Sequence, residues 1–398
     1  HFELMEYLGG LPYVDQVLSS SEKLTLPRLT YQECADKAGA DFAKAAELLP
    51  VDWDKTTVGR RTAGKNQLRA NKIMALGYLG KNYLWAGSPL MKNGAQTGGS
   101  NTYNYDVEYC KKAAEAFGQL LSLVESGKTQ YSLAEFKYKD IYSHVKAADA
   151  TSCFSDIFYT TGQSWLMPGS TEAIFRGPST DFNGSNWNTT KTFGPKVNGL
   201  VEHDNIIHQP TANYVNLYGM ENGLPLNDPE SGFDPKQPFK NRDPRFYHDI
   251  VFDGFKYVNA TMPADQEFMR YTQLYTGGIM RSDQNASRTG YFIQKLVPHT
   301  ANKYDGAYNW SGSLHVYLPY MRLGDIYLMY AEACTAFGGA TGKSSNFTKT
   351  AEEAINTLRE RVGAGKLNAK YTADKNNGDT ETALQELHLF INPITKLL

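Results

Sequence analysis

The chain has 398 residues, of which 41% are hydrophobic and 21% charged, and its formal net charge is −2. That length can bury a large core, or two subdomains sharing one, and the charged fraction argues against wholesale disorder. With no basic excess, nucleic-acid binding is excluded as a leading reading.

The opening residues His1 to Leu8 read as the end of a helix already under way. The chain is therefore expected to be a piece of a longer precursor, with any export signal or lipid-carrying cysteine upstream. A clear helix is predicted from Thr30, where Thr30 and Glu33 form a capping-box pattern. Cys34, Ala38, Phe42, Ala45 and Leu49 make its apolar stripe, and Pro50 stops it. A second helix is predicted over about Lys65 to Trp85, with Ala70, Ala75, Gly77 and Gly80 small enough for another helix to approach. Val107, Cys110, Ala114, Phe117, Leu121 and Val124 step by three and four along a third.

From about Ser164 to Tyr317 the chain is rich in Gly, Asn, Pro and aromatics. It reads as a loop-rich insertion with one short helix near Ile207 to Leu217. Short strands are expected at Glu172 to Phe175, Phe246 to Phe252 and Gly290 to Val297. Loops of this length are usually functional when ordered. Helical periodicity returns at Tyr320 to Phe337, closed by Gly338 and Gly339, and again from the Thr350 and Glu353 capping pattern to Val362. The fold class is mainly α: tetratricopeptide-like helix pairs over 1–163, a loop-rich region over 164–317, and a helical region over 318–398 completing the same domain.

Aromatics make up 13% of the chain, with 26 tyrosines. Tyrosine suits binding loops because it gives large contact area with few rotatable bonds, and it also fills helix seams. Cys34, Cys110 and Cys334 sit on apolar helical faces and are expected as buried free thiols; no cysteine, Cys153 included, has zinc-ligand spacing. No apolar run is long enough to span a bilayer.

Enzyme motifs are absent: no H-E-x-x-H, G-x-S-x-G or G-x-G-x-x-G occurs. The segment Gly338 to Ser344 imitates a P-loop but has Phe337 where the first glycine is needed, and it follows a helix. Asp228, Glu230 and Asp234 offer oxygen ligands for calcium, but the spacing is not that of an EF-hand and the same residues make ordinary turns. No cofactor and no metal is expected.

Three stretches carry a family resemblance. They are Phe2-Glu-Leu-Met-Glu-Tyr-Leu-Gly-Gly-Leu-Pro-Tyr-Val14; Glu221-Asn-Gly-Leu-Pro-Leu-Asn-Asp-Pro229 continuing to Asn241-Arg-Asp-Pro-Arg-Phe-Tyr247; and Tyr320-Met-Arg-Leu-Gly-Asp-Ile-Tyr-Leu-Met-Tyr-Ala-Glu-Ala333. In content and order the chain resembles the SusD/RagB family. The resemblance implies a lipid-anchored protein on the outer face of a Gram-negative outer membrane, attached through an N-terminal lipid not present in this chain. It implies packing against a SusC-like TonB-dependent barrel and capture of an oligosaccharide, or a peptide in some members. Arg242, Asp243 and Arg245 are expected to pin a turn, and Arg322, Asp325 and Glu332 to make helix-packing contacts. After Gly365 the chain departs from the family pattern, which expects a closing segment with a Phe-Glu-Gly turn.

The leading reading is thus a non-catalytic glycan-binding component of an uptake complex. A peptide binder on the same fold, a helical glycosidase with an unrecognised carboxylate pair, and a pure scaffold are the rivals. The ligand site is placed in Phe182-Asn-Gly-Ser-Asn-Trp-Asn188 and Tyr304-Asp-Gly-Ala-Tyr-Asn-Trp-Ser311. A sugar ring offers apolar C–H faces and a hydroxyl rim, which aromatic and short polar side chains respectively satisfy. Trp187 and Trp310 are the stacking candidates, Tyr304 and Tyr308 secondary ones, and Asn186, Asp305 and Asn309 the polar ones. Trp165 and Trp85 are expected in the core.

Overall fold

The computed structural model describes residues 1–21, 23, 25–67, 69–91, 104–161, 171–176, 193, 208–282, 286–299, 302–305, 314–316 and 319–372. Among them the helices are Phe2–Leu8 (α1), Tyr31–Leu48 (α2), Lys72–Gly87 (α3), Val107–Glu125 (α4), Ala212–Asn216 (α5), Pro244–Asp249 (α6), Ile279–Ser282 (α7), Leu323–Gly338 (α8), Ala351–Arg361 (α9) and Ala369–Thr372 (α10). The strands are two to four residues long and lie between α4 and α8. The fold is mainly helical. Two compact units are distinguishable, one built chiefly from His1–Ser132 and Met321–Thr357, the other from Leu133–Tyr320 and Leu358–Asn368.

In the first unit α3 packs on α2 and α4, and α4 packs on α8. The capping box at Thr30 and Glu33 starts α2, with both reciprocal hydrogen bonds formed. Five residues of the third stripe are buried as its spacing predicts, Cys110, Ala114, Phe117, Leu121 and Val124, whereas Val107 in the first turn is exposed. Helix α8 is buried almost all round, as expected for the central helix of a bundle. Its start is fixed by a buried ion pair, Arg322 Nε to Asp325 Oδ1 at 3.0 Å, and Glu332 accepts from Tyr105 Oη at 2.7 Å. All four cysteines are free thiols and buried.

The first family stretch has a steric explanation. Gly9 ends α1 at φ 74°, a left-handed conformation that favours glycine. A Cβ on Gly10 would lie 2.0 Å from the Leu29 carbonyl oxygen. Arg28 closes the turn by donating to the carbonyls of Gly10 and Leu8, each at 2.6 Å.

Helix α3 begins later than the periodicity suggests. Asn71 caps it by accepting from the Met74 amide at 2.9 Å, so Ala70 lies outside it. The residues before it turn tightly because the Asn66 side chain donates to the carbonyls of Gly59 and Thr62. Such local side-chain bonds compete with helix formation. The close approach expected at the glycines is present: a Cβ on Gly80 would sit 2.4 Å from the Phe117 ring. Gly80→Ala gains up to about 1 kcal/mol of helix propensity, yet the added methyl would meet the ring of the fully buried Phe117. The expected net effect in urea unfolding is a loss of about 1–3 kcal/mol from overpacking. A stabilised Ala variant would refute the tight α3–α4 contact.

In the second unit the strands pair antiparallel in short ladders, Tyr138–Asp140 with Val145–Lys146, Tyr159–Thr161 with Leu314–Val316, and Ile250–Val251 with Phe292–Ile293. The expected strand over Phe246 to Phe252 is corrected. Its first half is α6, because Asp243 accepts from the Arg245 amide at 2.9 Å and Pro244 occupies the first turn. Only Ile250–Val251 continues as strand. An aromatic core of Phe246, Phe252, Phe255, Tyr257 and Phe292 lies beneath these elements, with Phe239, Tyr247 and Tyr304 packed on it.

Candidate functional site

Tyr304 and Asp305 are the two expected ligand-site residues within the described part. Trp187, Trp310, Tyr308, Asn186 and Asn309 lie outside the described residues. Asn302 organises the start of the second expected loop. It is fully buried, and its Oδ1 accepts from the amides of Tyr304 at 3.0 Å and Asp305 at 2.9 Å. This is an Asx turn, in which a side chain replaces a backbone carbonyl. Its Nδ2 donates to Asp305 Oδ2 at 2.7 Å. Asp305 also accepts from the backbone amides of Asn259, at 3.0 Å, and Ala260, at 2.7 Å. The half-buried ring of Tyr304 packs on the aromatic core, and its hydroxyl donates to Gln266 Oε1. In the described structure these two side chains therefore anchor the loop to residues 257–266.

Beyond Gln266 the chain carries three exposed aromatics that the sequence reading did not single out. Phe268 is 60% exposed, Tyr271 50% and Tyr275 54%. The interleaved Thr272 and Leu274 turn inward and are buried. The segment is held rigidly on either side of each ring. Thr272 N donates to the Phe255 carbonyl at 2.9 Å and Tyr257 N to the Arg270 carbonyl at 2.8 Å. Asp253 Oδ1 accepts from the amides of Leu274, at 2.8 Å, and Tyr275, at 3.1 Å. Gln273 Nε2 reaches back to the Phe268 carbonyl at 2.9 Å. Arg270 donates to the carbonyls of Val258, at 2.9 Å, and Ala260, at 3.0 Å, and pairs with Glu267. The Glu267 contact raises the Arg270 pKa, and in return Arg270 lowers that of the Glu267 carboxyl.

Three exposed aromatics within eight residues of a fixed segment need an explanation, whereas scattered ones do not. Here the rings are displayed by a segment held through the amides of Met269, Arg270, Thr272, Leu274 and Tyr275. Tyrosine hydroxyls and the Gln273 amide supply polar groups between apolar faces. The arrangement can offer stacking surfaces with hydrogen-bonding edges, which is the chemistry a pyranose requires.

Other polar residues of the family stretches serve the fold. Arg242 is buried and donates to four backbone carbonyls. Arg245 and Asp243 form a buried ion pair. Arg359 donates to the carbonyls of Gly223, at 2.8 Å, and Gly365, at 2.6 Å, and burial pushes its pKa down to about 10. Asp228 and Asp234 each accept a backbone amide two residues on, from Glu230 and Lys236. Among the described residues no cluster of His, Cys, Asp and Glu is arranged to hold a metal ion, and no helix is long and apolar enough to cross a membrane.

Comparison with solved structures places the fold. A SusD-like protein of Bacteroides fragilis NCTC 9343 superposes with a TM-score of 0.63 at 20% identity, over 99% of this chain and 63% of the other. A SusD-like carbohydrate-binding protein of the same strain gives 0.55 at 18%, over 98% and 60%. Surface glycan-binding protein A of Bacteroides uniformis gives 0.50 at 15%, over 98% and 61%. The chain thus spans less than two thirds of the length of each. No curated protein sequence matches it. The SusD family model matches residues 171–389, more than half of the chain and most of the region that carries the aromatic segment, and on that match the chain belongs to the SusD family.

Proposed function

We propose that this chain is a non-catalytic, surface-exposed glycan-binding lipoprotein that delivers oligosaccharide to a SusC-like TonB-dependent barrel in the outer membrane. The observation that carries the binding role is the exposed aromatic trio Phe268, Tyr271 and Tyr275 on a segment held by backbone and Asp253 hydrogen bonds. Two of the similar structures are described as carbohydrate- or glycan-binding proteins, which supports sugar as the ligand class. Tyr304 and Asp305 are anchored to residues 257–266, and Tyr308, Asn309 and Trp310, which follow them in sequence, are proposed as further ligand contacts. Trp187 and Trp310 are proposed as further stacking residues and Asn186 as a polar contact. A binding role also fits the buried charged groups, which are occupied structurally: Glu172 pairs with Arg361 at 2.6 Å and Asp249 with His248 at 2.8 Å.

The test is isothermal titration against a panel of soluble oligosaccharides, with Tyr271→Ala, Tyr275→Ala, Trp187→Ala and Trp310→Ala measured in parallel. Loss of one stacking partner is expected to cost about 1–3 kcal/mol of affinity, by analogy with bases stacked on aromatics. Melting temperatures should stay near that of the parent for the two exposed tyrosines, and the recovered glycan should be intact. Undiminished binding by all four variants would overturn the site, and released products from contaminant-free protein would overturn the non-catalytic reading. For delivery, mild detergent extraction and pull-down should recover a much larger barrel protein.

A further inference from the structure

From the end of α2 to the first residue of α3 the chain carries Lys55, Arg60, Arg61, Lys65, Arg69 and Lys72 with no acidic residue between Lys55 and Lys72, in a protein whose net charge is −2. This basic run is a built surface. Asn66 is its hub: its Oδ1 accepts from Thr62 Oγ1 at 2.9 Å and Arg69 Nη1 at 3.3 Å, and its Nδ2 donates to Asp54 and to the carbonyls of Gly59 and Thr62. Gly59 lies so close to the Trp53 carbonyl oxygen that a Cβ would approach it to 1.9 Å. Trp53 Nε1 donates to the Ala70 carbonyl at 2.7 Å, and the Arg69 guanidinium covers its ring at 3.9 Å. The Lys72 amide closes the base of the loop on the Pro50 carbonyl at 2.9 Å.

Lys72 is half-buried in the first turn of α3, and the other five cations divide into two groups. Arg69 is occupied by Trp53 and Asn66, and Lys55 lies 3.6 Å from Asp52. Arg60, Arg61 and Lys65 are exposed and have no ion-pair partner among the described residues. At the tip beside them Val58 is 62% exposed. A protein interface would be expected to centre on a desolvated aromatic or apolar pocket and to be depleted in lysine. The loop instead carries three exposed long-stemmed cations and one exposed small apolar side chain within residues 58–65. That pattern suits a fluid array of phosphates with an apolar layer just beneath.

We propose that this loop docks on an anionic lipid surface, with Arg60, Arg61 and Lys65 contacting headgroup phosphates and Val58 entering the boundary between headgroup and acyl chain. The inference is independent of the glycan site, which lies in other residues.

Co-sedimentation with phosphatidylcholine vesicles, with and without phosphatidylglycerol, tests it. Binding is expected only with phosphatidylglycerol present and should weaken as salt rises. Each neutralised cation should cost about fivefold in apparent affinity, so the triple variant Arg60→Glu, Arg61→Glu, Lys65→Glu should bind at least about 100-fold more weakly. The control Lys236→Glu, Lys240→Glu, Lys343→Glu carries the same charge change on exposed sites elsewhere and should bind like the parent. The triple variant should melt like the parent, since none of its side chains is buried, and should bind glycan unchanged. No binding to phosphatidylglycerol vesicles at low salt overturns the proposal. So does equal loss in the control, which would make net charge the cause. Capture of an acidic protein by the loop without any vesicle binding would also overturn it.

Discussion

Arg242→Met is expected to destabilise the second unit by about 3–5 kcal/mol, because it leaves several buried carbonyls without a donor. The side chain is 2% exposed. Its guanidinium donates to Tyr218 O at 2.6 Å, Pro238 O at 2.9 Å, Val215 O at 3.0 Å and Gly219 O at 3.3 Å, and lies 4.6 Å over the Phe246 ring. One cation thereby fastens α5, the turn after it and the chain entering α6. The preceding Asn241 is held at φ 53°, a left-handed conformation that costs any side chain some energy. The Arg242 amide is in turn held by the Tyr247 hydroxyl at 3.1 Å. Methionine matches the volume but supplies no donor. For a unit of 150–250 residues each kcal/mol corresponds to about 2–4 °C, so calorimetry should show a drop of about 10 °C. Arg242→Lys should recover only a small part, because one ammonium cannot satisfy a planar fork of carbonyls. A methionine variant within 1 °C of the parent would show that the carbonyls find other partners. Below its melting transition the variant should still bind glycan, since Arg242 touches no exposed surface.

Much of the helical architecture was legible in the residues. Apolar spacing of three and four placed α2, α4, α8 and α9, and Thr30 and Thr350 marked two of their starts, because caps and stripes are local properties. The family stretches were legible too, and their chemistry proved structural: Gly9 and Gly10 shape a turn, while Arg242 and Arg322 satisfy buried polar partners. The candidate site was far less visible. Tyr257 and Tyr271 are both tyrosines in irregular, Gly-flanked chain, yet the first is buried and the second half exposed. Which of them faces solvent depends on the pairing of 255–257 with 270–272, a tertiary fact. The alternation Tyr271-Thr-Gln-Leu-Tyr275 was the only local hint. Asp305 shows the converse. Beside aromatic and Asn residues it reads as a ligand contact, but the Asn302 turn directs its carboxylate at two backbone amides.

Stability is expected to fall as pH drops from about 6.5 towards 4.5, before the buried Asp243 and Asp249 carboxylates are protonated. The source is His144, fully enclosed in the second unit. Its ring stacks on His248 at 3.9 Å, its Nδ1 meets the Tyr159 hydroxyl at 3.1 Å, and its buried Nε2 has no hydrogen-bond partner among the described residues. Around the pair stand Tyr138, which bonds His248 Nε2 at 3.1 Å, and Asp249, which bonds His248 Nδ1 at 2.8 Å and accepts from Tyr218 at 2.9 Å. His299 lies 6.2 Å from His144. Burial, and then the charge of neighbouring histidines, holds the His144 pKa well below the ordinary range, and burial lowers that of His299 as well. The unfolded chain therefore takes up protons below about pH 6.5 that the folded chain refuses, and folding loses up to about 1.4 kcal/mol per pH unit for each such histidine. The buried carboxylates Asp243 and Asp249 have lowered pKa values despite their burial. Their stabilisation persists above the ordinary carboxylate range of about 4 and is lost only below it, so the two effects occupy separate windows. His144 also sits at φ 51°, which asparagine tolerates better than most residues. His144→Asn should therefore lower the melting temperature at pH 8, through lost stacking, while flattening its decline between about pH 6.5 and 4.5. A parent melting temperature that stays level across that window, or an Asn variant that declines as steeply, would show that the ring is not the proton-refusing group.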